Sequence, residues 1–146
     1  MDDEKLFEMV DECVGFAKSL LEESQTLYPF AMILDEDEEI QSMKNDAADQ
    51  EESYELLLEA LRSEAQKGQI TAVALLARVT IPSAFSPAVP EGIRIHIEEK
   101  RSSGEKLAAR FLYIPYQLYK TGENSTKVSV RLHDPIPVGF PSEIFV

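Results

Sequence analysis

The sequence has few of the features that define membrane, secreted or disulfide-stabilised proteins. Cys13 is its single cysteine, so no internal disulfide can form and a reducing compartment is the natural expectation. Its longest apolar stretch, residues 70–77, is far shorter than the ~20 residues that a membrane helix needs. The chain begins with acidic residues, unlike a signal peptide. We therefore expect a cytoplasmic protein that does not bind membranes.

Sequence motifs for catalysis and cofactor binding are also absent. The six glycines are scattered, so no glycine-rich phosphate loop is present, and no serine-nucleophile motif occurs. The two histidines, His96 and His133, lack the cysteine partners and the spacing of a zinc site. Cys13 falls on the apolar stripe of a predicted helix, where a buried cysteine usually acts as a small hydrophobe. We expect no catalytic residue, no metal and no cofactor, and hence a protein that is not an enzyme.

Basic residues are scarce in one half of the chain. Residues 1–67 carry 20 Asp and Glu against 5 Lys and Arg, whereas residues 68–146 carry 7 Asp and Glu against 9 Lys and Arg. The net charge of the whole chain is −13. A polyanion is repelled by nucleic acid and by anionic lipid, so neither is an expected partner. An acidic half suits a basic protein partner, although acidic helices can also serve only to keep a protein dispersed.

Two amphipathic helices are predicted in the acidic half. Apolar residues at spacings of three and four predict the first over residues 4–27. The second begins near Asp49, with Glu52 in the arrangement of a capping box, and ends at Lys67 and Gly68. Between them, the carboxylates of residues 35–39 indicate the solvated tip of a hairpin. A calcium loop is the alternative, but Ile40 stands where such a loop needs glycine.

The second half of the sequence changes to the two-residue period of strands. Residues 70–81 are apolar at almost every position, as in a central strand, and residues 93–97, 107–113 and 128–132 alternate. The predicted fold is therefore α+β, with order α-β-β-α-β-β-β and two helices on one face of a mostly antiparallel sheet of about five to six strands. We predict a single domain over residues 1–134 and an extended, proline-containing tail over residues 135–146.

Three short segments suggest relatives. Tyr28-Pro29-Phe30, Ile93-Arg94-Ile95-His96-Ile97-Glu98 and Ile114-Pro115-Tyr116 surround a helix that ends at Gly68, and together span most of residues 28–116. In these segments the chain resembles a group of small uncharacterised bacterial proteins. The resemblance implies a stand-alone bacterial domain and implies no activity. The element order also resembles that of roadblock-like and profilin-like domains, an analogy of fold that carries little functional weight.

Alternation along the predicted strands places basic side chains on one sheet face. That face would carry Arg78, Arg94, His96, Arg110 and Arg131, with Val79, Ile95, Phe111 and Val130 on the opposite, core face. Clustered guanidinium groups can bind carboxylate or phosphate in bidentate fashion. The alternative is an ordinary solvent-exposed face. We predict a ligand or partner site there.

Three functions fit these patterns. The first is a non-enzymatic protein-interaction module whose acidic helical half binds a basic protein. The second is a small ligand-binding protein or enzyme that uses the Arg and His face. The third is a subunit that self-associates, since Phe140, Ile144 and Phe145 in the tail could dock in the same domain or in a neighbouring copy.

Overall fold

The computed structural model describes residues 3–100, 108–120, 128–139 and 144. The order of elements confirms the α+β class and the predicted order α-β-β-α-β-β-β, and further strands follow near the C-terminus. Among the described residues the sheet has seven strands instead of five to six. The elements are α1 (Asp3–Ser24), β1 (Phe30–Asp35), β2 (Ile40–Met43), α2 (Gln50–Gln66), β3 (Ile70–Thr80), a 3-10 turn (Ser83–Phe85), β4 (Glu91–Glu99), β5 (Ala108–Lys120), β6 (Val128–Leu132) and β7 (Ile136–Gly139).

Local signals determine where α2 begins and ends. Asp49 adopts extended geometry as the N-cap, and its carboxylate accepts the N–H of Glu51 at 3.1 Å. Glu51 and Glu52 lie in the first turn, where the helix dipole favours negative charge. After the helix, Gly68 has a φ of 76°, a left-handed geometry that glycine adopts without strain. These observations confirm the helix predicted from the sequence.

The sheet is antiparallel at every pairing, in the order β2-β1-β3-β4-β5-β6. The first part of β5 pairs with β4 on one side and with β7 on the other, and its last five residues pair with β6. In this register Arg94 of β4 lies between Ala77 of β3 and Tyr113 of β5. The residues of β4 therefore occupy the middle of the sheet.

The two helices pack on opposite faces of the sheet, so the prediction that both cover one face is wrong. In β1, Phe30, Met32 and Leu34 pack in the cluster that contains α1, whereas Ala31 and Ile33 pack in the cluster that contains α2. The reason is the composition of the central strands. A strand that is apolar at successive positions needs cover on both faces, and one helix on each face supplies it.

The described part of the predicted extended tail contacts the same domain, so the domain continues beyond the predicted boundary at residue 134. Ile136–Gly139 forms β7 and pairs with β5. Pro137 is accommodated there because an edge strand does not need every N–H. Ile144 is buried in the α2 cluster, and its N–H donates to both carboxylate oxygens of Glu98 at 3.1 Å. Phe140 and Phe145, which the sequence suggested for docking, lie outside the described residues.

Candidate functional site

Arg94 of β4 is held between two aromatic rings. Its guanidinium carbon lies 5.2 Å from the ring centre of Tyr54 on α2 and 4.6 Å from that of Phe111 on β5. Both distances are within the range of cation–π attraction. The side chain of Arg94 is therefore fixed in position by contacts that leave its hydrogen-bond donors unused.

The hydrogen-bonding capacity of Arg94 is largely unfilled. Its Nε is buried and has no hydrogen-bond partner among the described residues, and none of their carboxylates lies within ion-pair distance of the guanidinium. A guanidinium offers five N–H donors in a planar arrangement that matches a carboxylate. A buried donor without an acceptor costs free energy.

Arg94 lines an open cleft between α2 and β3 with a volume of about 500 Å³. A second cleft of about 220 Å³ shares three of its lining residues and extends it toward Glu91. The α2 side contributes carboxylates, and the strand side contributes guanidinium groups. The larger cleft is lined by Pro29, Gln50, Glu51, Tyr54, Glu55, Ala77, Arg78, Val79 and Arg94.

One wall of the cleft is an open strand edge. Pairing of β1 with β3 ends at Leu76, opposite Phe30, so residues 77–80 have a strand beside them only on the β4 side within the described chain. The carbonyl of Thr71 accepts the N–H of Lys100 at 2.8 Å, and the N–H of Ile81 donates to Pro90 at 2.7 Å. Odd-numbered residues of β3 thus direct their backbone groups toward β4. Since direction alternates along a strand, Arg78 and Thr80 direct theirs toward the open edge.

His96 lies on the same face of β4 as Arg94, as predicted, but it is not available to a ligand. The side chains of His96 and Glu98 are both 0% exposed, and the Nε2 atom of His96 hydrogen-bonds to the Glu98 carboxylate. The ring of His96 also meets Phe111 edge to face. The pair is covered by the α2 side of the core and by Ile144. These contacts assign His96 a structural role.

The remaining predicted site residues do not join Arg94, so the prediction of one shared basic face is wrong. Arg110 pairs in register with Ile97 and lies 3.6 Å from Glu99, on the face that α1 covers. Arg78 pairs with Ile93, which also faces α1, and reaches the cleft at the open edge. Arg131 stacks over Tyr119 at 5.6 Å, away from the residues that line the cleft. Alternation gives the side chains of one strand that share a face. Which residues of neighbouring strands share that face depends on the register between the strands, which alternation does not give.

Sequence analysis did not place two aromatic residues in the site. Phe111 was predicted on the core face opposite Arg94, and Tyr54 was not predicted as a site residue. The structure brings both rings to Arg94. The open edge was also missed. Its signal is a difference in strand length, since β3 has 11 residues and β1 has 6.

The other groups considered for chemistry take part in core packing or in a turn. Cys13 lies on the buried face of α1. Burial, with a smaller effect of the Glu12 charge, raises the pKa of its thiol to about 12. In the acidic tip, the Asp35 carboxylate accepts the N–H groups of Asp37 and Glu39, and Glu38 adopts a left-handed φ of 63°. These bonds form the reversal without glycine. Among the described residues no group of His, Cys, Asp or Glu side chains is arranged to hold a metal.

The outer face of α2, next to the cleft, carries an exposed apolar side chain among carboxylates. Leu56 is 44% exposed and is flanked along the helix by Glu52, Glu55 and Glu59. None of these three carboxylates forms an ion pair with a described residue. We call these four residues the outer face of α2. Protein interfaces commonly have an apolar centre and a polar rim. An apolar side chain encircled by charged ones resembles this arrangement.

Comparisons with known proteins do not assign this chain to a family. No protein-family model, curated protein or solved structure matches it. Within the described residues no helix has the length and apolar character needed to cross a membrane.

Proposed function

We propose that this protein is a non-enzymatic protein-interaction module, acting in the cytoplasm, that binds a basic surface of a partner protein through the outer face of α2. The observation that carries the proposal is the exposed Leu56, surrounded by carboxylates that pair with no cation in the described part of the chain. Such a surface provides one apolar contact and several sites for Lys or Arg. The buried Cys13 without a disulfide is compatible with a reducing compartment.

The electrostatic contribution would act mainly on association. Exposed carboxylates of one sign attract a basic partner over a distance of about 10 Å at 0.1 M salt, and charge complementarity raises the association rate and the specificity. Binding should therefore weaken as salt is added. The apolar contact of Leu56 would remain at high salt.

The outer face of α1 is a weaker candidate for the same role. Lys5 pairs with Glu8 at 3.3 Å, and Lys18 is exposed on the same helix, so part of its negative charge is neutralised locally. Since α1 and α2 cover opposite faces of the sheet, the two acidic surfaces are separated and can be tested independently.

The test compares two double charge reversals. Glu52→Lys with Glu59→Lys alters the outer face of α2, and Glu12→Lys with Glu23→Lys is the matched control on α1. A partner is captured from host lysate at low salt, identified, purified and titrated by calorimetry. We expect the α2 variant to weaken binding by at least about tenfold and the α1 variant to retain it. Equal weakening by both variants, or binding only to non-basic proteins, would contradict the proposal.

Binding of a small ligand is the second candidate, and it draws support from Arg94 alone. The Arg94 guanidinium lies in the cleft with unfilled hydrogen-bonding capacity. His96 contributes nothing to that surface because it is fully buried. An enzymatic version would need an acid or base beside Arg94, and the titratable residues that line the cleft are Glu51, Glu55, Tyr54 and Arg78.

A further inference from the structure

We infer that the cleft beside β3 binds the C-terminal segment of a basic polypeptide, in extended conformation, as an added antiparallel strand. The inference rests on the proposed function, because it specifies which part of a basic partner enters the cleft next to α2. The occupant follows from three independent features: an open strand edge, an arginine whose Nε has no acceptor among the described residues, and carboxylates on the opposite wall.

The open edge of β3 can pair with a peptide backbone. The N–H and C=O groups of Arg78 and Thr80 point away from β4, and no described strand pairs with them. Proteins commonly bind extended peptides by adding a strand to such an edge, where backbone hydrogen bonds provide affinity for any sequence. The cleft runs along this edge, from Pro29 to Thr80.

The charges at the two ends of the edge define the direction of the peptide. Arg94 and Glu91 belong to β4, on the other side of β3 from the open edge, and pair with Ala77 and Thr80. Arg94 lines the cleft at the Ala77 end, and Glu91 lines it at the Thr80 end. A terminal carboxylate is attracted to the Arg94 end and repelled from the Glu91 end. The peptide would therefore enter at Thr80 and terminate near Ala77, antiparallel to β3 and in the direction of β1. Residues 77–80 span about 10 Å, which accommodates three to four peptide residues.

Arg94 has the properties of a carboxylate receptor. The two rings contact its guanidinium without using its N–H donors, and no described residue provides an acceptor for its Nε. A bidentate guanidinium–carboxylate pair is among the stronger hydrogen-bonded interactions in proteins. Because the guanidinium is already immobilised, binding would lose little side-chain entropy.

The charge on the opposite wall of the cleft determines which peptide side chains are favoured. Glu51 and Glu55 line it from α2, and Glu91 adds a carboxylate at the entry end. These groups favour Lys or Arg side chains and disfavour an acidic segment. Glu55 also belongs to the outer face of α2, so the cleft and the proposed basic-partner surface are continuous.

The test uses synthetic peptides and fluorescence anisotropy. The probe is a fluorescein-labelled octapeptide of alternating lysine and alanine that ends in a free carboxylate. Its matched controls are the C-terminal amide, a version with alternate backbone amides N-methylated, and a version with glutamate in place of lysine. We expect each change to weaken binding at least tenfold. Arg94→Gln should have the same effect as the amide, and on the amide it should cause no further loss. Arg131→Gln, which removes an arginine that also stacks on a tyrosine, should leave binding unchanged.

The acid and amide peptides are compared on the wild-type protein, so the inference stays testable even if Arg94→Gln does not fold. Equal binding of the acid and the amide overturns it, as does the absence of binding by the free-acid probe. The proposed function is tested independently of the cleft inference. If a basic partner loses binding with the Glu52 and Glu59 reversals but is indifferent to Arg94→Gln, the interaction module stands and the cleft inference falls.

Discussion

Glu98 and His96, two residues apart on β4, form a hydrogen-bonded pair that is completely shielded from solvent. The pair lies on the face that α2 covers, and the Glu98 carboxylate also accepts the backbone N–H of Ile144. One carboxylate thus joins the centre of the sheet to the C-terminal segment. When one member of such a pair is removed, the other stays buried without that partner. The resulting loss of folding free energy exceeds the net stabilisation that the intact pair provides.

Replacing Glu98 with alanine should destabilise the protein strongly. We expect the free energy of unfolding to fall by about 3–5 kcal/mol, because His96 loses its carboxylate and the Ile144 N–H loses its acceptor. Urea unfolding followed by circular dichroism measures the change. Glu59→Ala, at an exposed position on α2, is the control and should lie within about 0.5 kcal/mol of wild type. Similar stability of the two variants would contradict a structural role for the pair.

The C-terminal segment should contribute to folding as well as to any assembly. Ile144→Ala should cost about 2–5 kcal/mol, the usual range for a buried isoleucine. Truncation after Asp134 should cost more, since it also removes β7 from its pairing with β5. Thermal unfolding of both variants provides the measurement. A truncated protein with unchanged stability would contradict this packing.

Removal of the Tyr116 hydroxyl should stabilise the protein. Tyr116 is buried in the α1 cluster, and its hydroxyl has no hydrogen-bond partner within the described chain. Burial is the main cause that raises the pKa of its phenol, with Arg78 lowering that pKa and Glu91 raising it. Tyr116→Phe removes the unpaired group and should raise the free energy of unfolding by about 1 kcal/mol. Because the folded pKa is raised, wild-type stability should also decline as pH rises above 10, and the Phe variant should lose less. A loss of stability in Tyr116→Phe at neutral pH would show that the hydroxyl has a partner.

The Cys13 thiol should be almost unreactive in the folded protein. Its pKa is raised from 9.0 to about 12, so the thiolate population at pH 8 is far smaller than in an unfolded chain. Since the thiolate is the nucleophile, labelling with a disulfide reagent should be slower by at least about 100-fold than in urea. The raised pKa also means that Cys13 contributes stability below pH 9 that is lost as pH rises toward about 12. Rapid native labelling would indicate an exposed thiol and contradict the packing of α1.

The sequence alone determined the features that depend on neighbouring residues. Asp49 and Gly68 mark the beginning and end of α2 because capping and left-handed geometry involve only a few adjacent backbone groups. Alternation placed Arg94, His96 and Glu98 on one face of β4, since side chains of a strand point to opposite faces in turn. The acidic half of the chain was likewise evident from the amino-acid counts.

Only the tertiary structure decided which of these residues meet. Whether the face bearing Arg94 is open or covered depends on where α2 packs, and whether Arg110 shares it depends on the pairing of β4 with β5. Shifting that register by one residue would exchange every side chain of β5 between faces. The open edge at Arg78 arises because β1 stops pairing at Leu76. These relationships join residues distant in sequence, and they are selected by the collective packing of both cores instead of by local pattern.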